Sequence, residues 1–103
     1  MRLDRIATGL VVSALLSSSA LAAPKLGENV SVAACARAGV EASCVMINGA
    51  DGTVFNITSA NPKPPRDVII ELRGTVTDKL SACNQGVVLD NINWTATQRK
   101  CPN

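Results

Sequence analysis

Apolar and polar residues alternate most cleanly between Arg66 and Thr77. Val68, Ile70, Leu72, Gly74 and Val76 share one parity; Ile69, Glu71, Arg73, Thr75 and Thr77 share the other. Period-two alternation of this length predicts a half-buried strand, with Glu71 and Arg73 close enough on its outer face to pair weakly. Gly74 removes an inward side chain, which predicts a bulge or sharp bend there. A second strand is expected over Val87–Trp94. Val87 and Leu89 share one parity, whereas Ile92 and Trp94 share the other, so one extra residue is expected near Asp90–Asn91. This pair of strands organises the chain.

Three more strands precede it. Val30–Arg37 is apolar and Ala-rich, and Gly39 ends it. Ala42–Asn48 is apolar on both parities, with Cys44 and Met46 on one and Val45 and Ile47 on the other. Such a strand is expected to be covered on both sides, or to deliver Cys44 to a disulfide. Gly49-Ala50-Asp51-Gly52 predicts a hairpin turn into Thr53–Thr58, where Phe55 and Ile57 point inward. Ala23–Asn29 is expected as a loosely ordered lead. Ser59–Pro65, with three prolines, and Asp78–Gly86, which holds Cys83, are expected as exposed loops. After Trp94 the segment TATQRKCPN has no pattern, and only Cys101 is expected to anchor it. Five short strands without a strong helix predict an all-β fold, a small five-stranded OB-like barrel stapled by disulfides. A seven-stranded sandwich lacks the strands it needs.

The N-terminus changes the composition. Arg2 and Arg5 flank Asp4, Ile6–Leu16 is apolar, and the small-residue stretch ends Ala20-Leu21-Ala22. This predicts a secretory signal peptide over 1–22, leaving one domain over 23–103. The apolar run is too short for a membrane anchor of about 20 residues. Without residues 1–22 the chain has 81 residues with eight basic and seven acidic side chains, net +1. That balance gives no argument for nucleic acid or anionic lipid. A chain of this size buries only about 60–65% of its unfolded surface, and with one Phe, one Trp and no Tyr its core needs a staple.

Cys35, Cys44, Cys83 and Cys101 all follow the expected cleavage site, so an oxidising, periplasmic or extracellular compartment predicts a disulfide framework. Their separations of 9, 39 and 18 contain no C-x-x-C knuckle, which argues against a zinc site or a redox pair. Three pairings are open. The favoured one joins Cys44 to Cys83, tying the second strand to the last loop, and Cys35 to Cys101, tying the start of the domain to its tail.

The chain has no histidine and no tyrosine, and its carboxylates are scattered, so Ser-His-Asp, Cys-His and paired-carboxylate chemistries have no visible basis. We expect no enzyme, no metal and no cofactor. Candidate ligand-binding residues are Trp94, which as a structural residue would plug or cap the barrel, and Gln85-Gly86, whose simpler role is a disulfide-anchored turn. Asn56-Ile57-Thr58 and Asn93-Trp94-Thr95 match the glycosylation pattern, and a surface position of Asn56 would accommodate a glycan.

Gly39-x-Glu41-x-x-Cys44, the Asp51-Gly52 turn, the Ile70-x-Leu72-x-Gly74 strand and Cys83-x-Gln85-Gly86 occur in that order over about residues 39–94. In this order the motifs resemble a family of small secreted bacterial proteins of unknown function that look like short OB-type barrels. The resemblance supports a Cys44–Cys83 bridge, leaves Cys35 and Cys101 outside it, and implies no activity. A more distant likeness is to periplasmic bacterial OB-fold proteins linked to stress tolerance, which lack this cysteine pattern. The reading of the residues is a binding module for an unidentified protein, glycan or small ligand. Its alternative is a structural or inhibitor-like protein presenting the proline loop Asn61–Arg66.

Overall fold

The computed structural model describes residues 23–102; the signal-peptide expectation lies outside the described residues. The described residues are all-β, with six strands: β1 (Asn29–Ala34), β2 (Arg37–Ala38), β3 (Val45–Asn48), β4 (Val54–Asn56), β5 (Val68–Val76) and β6 (Val87–Lys100). They form one sheet in the order β1-β5-β6-β4-β3-β2. Neighbours are antiparallel except β4 and β6, which pair in parallel through Phe55–Val87 and Asn56–Val88. Five strands become six because the expected first strand breaks at Cys35 and Ala36. Its first part pairs with β5, and its last residue, Arg37, together with Ala38 just beyond it pairs with β3.

The alternation in β5 places Ile70, Leu72, Gly74 and Val76 inside and leaves Glu71 and Arg73 exposed. Across the sheet, Val32, Leu72 and Trp94 form one inward row. The main core gathers Ile47, Phe55, Ile57, Ile70, Leu72 and Leu89, with Trp94 and Ile92 packed against it. Between Arg73–Asn93 and Thr75–Asp90 the β6 strand has one residue more than β5, and Asn91 takes a φ of 51°. This bulge reconciles the two parities of β6: Leu89 is buried before it, and Ile92 and Trp94 are half-buried after it. Gly74 sits opposite. A side chain there would crowd Leu89 and the Asp90 carbonyl at 3.2–3.3 Å, so glycine lets the two strands close at the bend.

Several loops are better ordered than their sequence suggests. The lead is held to the end of β5, since Gly27 N–H donates to the Val76 carbonyl at 2.8 Å and Val76 N–H to the Glu28 carbonyl at 2.9 Å. The expected hairpin turn closes through Gly49 N–H to the Thr53 carbonyl, 2.8 Å. There the Thr53 N–H, 3.0 Å from the Asp51 carboxylate, holds Asp51 below the usual carboxylate range. The segment after Trp94 continues β6 to Lys100 along β5.

Two disulfides staple the fold. Cys35–Cys101 ties the β1–β2 junction to the end of β6, and Cys44–Cys83 ties the start of β3 to the loop between β5 and β6. Such bridges fit an oxidising, extracytoplasmic environment. No helix among the described residues is long and apolar enough to cross a membrane.

Candidate functional site

Two surfaces hold the candidate residues. The first is the outer face of β1, β5 and β6. Cross-strand register sets Ser31 beside Arg73 and Arg73 beside Asn93; one step along, Ala33, Glu71 and Thr95 form the next row. These side chains point away from the core and are exposed. They line a cleft of about 530 Å³ whose floor includes the backbone rows of Val32, Leu72 and Trp94. Glu71 and Arg73 are not bridged to each other; the salt bridge among the described residues joins Lys79 to Asp90 at 2.6 Å. The cleft therefore offers one carboxylate, one guanidinium, hydroxyls and an amide, with neither charge neutralised by the other.

Trp94 borders this cleft without turning its ring outward. The ring is half-buried against the main core, and the indole N–H donates to the Pro62 carbonyl at 2.8 Å. This bond and Ser59 Oγ donating to the Leu89 carbonyl, 3.2 Å, lay the proline loop along β6. Pro64 and Ala60 are buried, so the loop expected to be exposed is so only in part.

The second surface surrounds Cys83. Beneath it lies a small cluster separate from the main core, made of Cys44, Met46 and Cys83 with Val54 against it. The strands β3 and β4 are thus covered on both faces, which explains why Ala42–Asn48 is apolar on both parities. Asn56 faces this second cluster. It is 1% exposed, and its Nδ2 donates to the Cys83 carbonyl at 2.6 Å and to Ser81 Oγ at 3.3 Å. Its Oδ1 accepts from Thr58 N–H at 3.0 Å. Asn56 is therefore not the surface position expected of it, and the folded chain leaves no room for a glycan. Asn93 of the other matching tripeptide is exposed.

Gln85 and Gly86 belong to the same cluster and not to the cleft of Trp94. Gln85 Oε1 accepts from Val40 N–H at 2.8 Å, latching the loop before β6 to the loop before β3. Gly86 has a φ of 70°, and a Cβ there would meet the Val54 carbonyl oxygen at 2.6 Å. Both facts demand glycine. The Gly39-x-Glu41-x-x-Cys44 segment closes on itself by Gly39 N–H to the Cys44 carbonyl and Cys44 N–H to the Glu41 carbonyl. The two cysteine motifs thus meet around one bridge.

Among the described residues no group of three or more His, Cys, Asp or Glu side chains could hold a metal ion. The cleft residues Ser31, Glu71, Arg73, Asn93 and Thr95 were not singled out together from the sequence. The outward parity of Glu71 and Arg73 is visible there, but the strands they pair with are not. Compared with known proteins, the chain matches no family model, no curated protein and no solved structure.

Proposed function

We propose that this chain is an exported, non-catalytic binding module of the bacterial cell envelope or medium. In this reading it is built as a five-stranded OB-type barrel and takes its ligand on the outer face of β1, β5 and β6. The barrel reading rests on the short break between β1 and β2. Cys35 and Ala36 alone separate two strands at opposite ends of the sheet order, so one bent strand joining them would close the sheet on itself. The parallel β4–β6 pairing also fits that topology.

One observation carries the binding reading: the cleft of about 530 Å³ where three strands in register present Ser31, Arg73, Asn93, Glu71 and Thr95. A Glu and an Arg held on a rigid sheet, unbridged and flanked by hydroxyl and amide groups, suit a polar ligand with both donors and acceptors. Soluble peptidoglycan fragments, which combine sugar hydroxyls with charged peptide groups, are the first probe. Titrated into ¹⁵N-labelled protein, they should shift the amide resonances of residues 31, 71, 73, 93 and 95, and Arg73→Ala should abolish the shifts. Shifts confined to the proline loop or absent altogether overturn this site.

A further inference from the structure

Leu80 is 96% exposed at the apex of the loop between β5 and β6. A leucine in a slack loop would be an ordinary feature of a surface. This loop is held on both sides of Leu80. On its N-terminal side, Thr77 N–H donates to the Val88 carbonyl at 3.0 Å, Lys79 N–H to Thr77 Oγ1 at 3.2 Å, and Lys79 Nζ to Asp90 Oδ2 at 2.6 Å. On its C-terminal side, Ser81 Oγ accepts from Cys83 N–H at 3.1 Å and from Asn56 Nδ2 at 3.3 Å, and Cys83 is bridged to buried Cys44. Leu80 itself is bound by neither set. The loop thus presents one apolar side chain on a backbone whose flanks are fixed to the core, with shallow clefts on both sides that include Leu26, Val88 and Ala82.

We propose that this loop is a substrate-like docking site for a serine peptidase with an apolar specificity pocket, and that Leu80 is the side chain the pocket receives. The surface is distinct from the β1-β5-β6 cleft, and the inference does not rest on it. A pre-ordered loop loses little conformational entropy on binding, and a fully exposed leucine gains most from burial in a pocket. The same bracing opposes net cleavage. When the peptidase hydroxyl attacks the Leu80 carbonyl, its proton passes to the Ser81 nitrogen and the Leu80–Ser81 bond breaks, leaving a Leu80 ester on the enzyme. In an ordinary substrate the new Ser81 amine diffuses away and water releases the Leu80 carboxylate. Here Ser81 stays held by Asn56 and the Cys83 bridge, so the amine remains beside the ester and re-forms the peptide bond.

The test uses the disulfide-mapped chain beginning at Ala23, with chymotrypsin as the probe and a chromogenic peptide as its substrate. We expect competitive inhibition with a Ki in or below the micromolar range, and Leu80→Gly should weaken it roughly 30- to 100-fold, the size of an anchor truncation. Leu80→Arg should move inhibition from chymotrypsin to trypsin. Mass spectrometry after long incubation should recover the intact chain or a Leu80–Ser81-cut form still joined by its bridges and still inhibitory. Unimpeded chymotrypsin at about 100 µM protein, corresponding to weak or no binding, overturns the proposal. So does steady cleavage of the loop without inhibition, or a Leu80→Gly variant that inhibits as well as the parent. Both variants change only the exposed position 80, and unchanged circular dichroism checks their fold.

Discussion

Replacing Asn56 by alanine tests the reading of the second cluster most directly. The side chain is buried and fully engaged: it donates to the Cys83 carbonyl and Ser81 Oγ and accepts from Thr58 N–H. Alanine removes these bonds, stranding the buried Cys83 carbonyl and unpairing the part-buried Thr58 N–H. A buried backbone group left unpaired costs about 1–3 kcal/mol, so the carbonyl, with a smaller share from the N–H, sets a loss of about 3 kcal/mol. For a domain of this size that corresponds to a fall in Tm of about 12–24 °C. Thermal and urea unfolding with both disulfides intact measures it. Asn56→Asp adds a signature that packing alone would not give. Its carboxylate can still accept from Thr58 N–H and from the Ser81 hydroxyl, but when ionised it is held inside the protein against the Cys83 carbonyl oxygen, which cannot donate to it. Burial and that carbonyl push its folded pKa above the unfolded value. A raised acid pKa means stability present at low pH and lost as pH rises through the folded value, so this variant should be more stable near pH 4 than near pH 7 relative to the parent. An Asn56→Ala loss under about 1 kcal/mol, or an Asn56→Asp variant with the parent's pH profile, would refute the reasoning, because either would mean that these bonds are not what fixes the loop.

Gly86→Ala should cost more than about 2 kcal/mol, since it adds left-handed backbone strain to a Cβ clash with the Val54 carbonyl, and chemical denaturation will show it. Trp94→Phe keeps the ring in the core but removes the bond to Pro62; it should cost about 0.5–1.5 kcal/mol and speed hydrogen exchange around Asn61–Arg66. The Lys79 ammonium and the Asn91 N–H hold Asp90 below its ordinary value of 3.8. Its folded pKa is depressed, so the stability it adds is present above the unfolded value and lost as pH falls through the folded one. NMR titration should find Asp90 ionising at higher pH in Lys79→Met than in the parent.

Much of the fold was legible because burial on one face writes itself as parity. The β5 alternation, the parity flip at Asp90–Asn91 and the doubly apolar β3 all correspond to observed burial. The end of β6 left no such mark. Thr95–Lys100 pairs with β5, but its own side chains are exposed apart from half-buried Thr97, so neither of its faces needs apolar residues and the polar sequence gives no period. Asn56 misled for the opposite reason. It lies on the parity opposite Phe55 and Ile57, which would be solvent in a one-sided sheet but here is covered by the disulfide cluster. Of the outer cleft only the outward parity of Glu71 and Arg73 was legible, because the rest depends on which strands are neighbours rather than on any one strand's pattern.

The disulfide connectivity has a consequence for biosynthesis. If the chain is exported as proposed, then in order of emergence the first cysteine pairs with the fourth and the second with the third, a nested arrangement. Cys35 and Cys44 would enter an oxidising compartment together, nine residues apart, well before either native partner. An oxidant that joins thiols as they arrive would therefore make the wrong bond first. Native Cys35 must wait for Cys101, 66 residues further along the chain, or be freed from Cys44 by thiol exchange. Production of the native chain should then depend on an isomerase as well as an oxidase, and a host supplying only the latter should accumulate Cys35–Cys44 species.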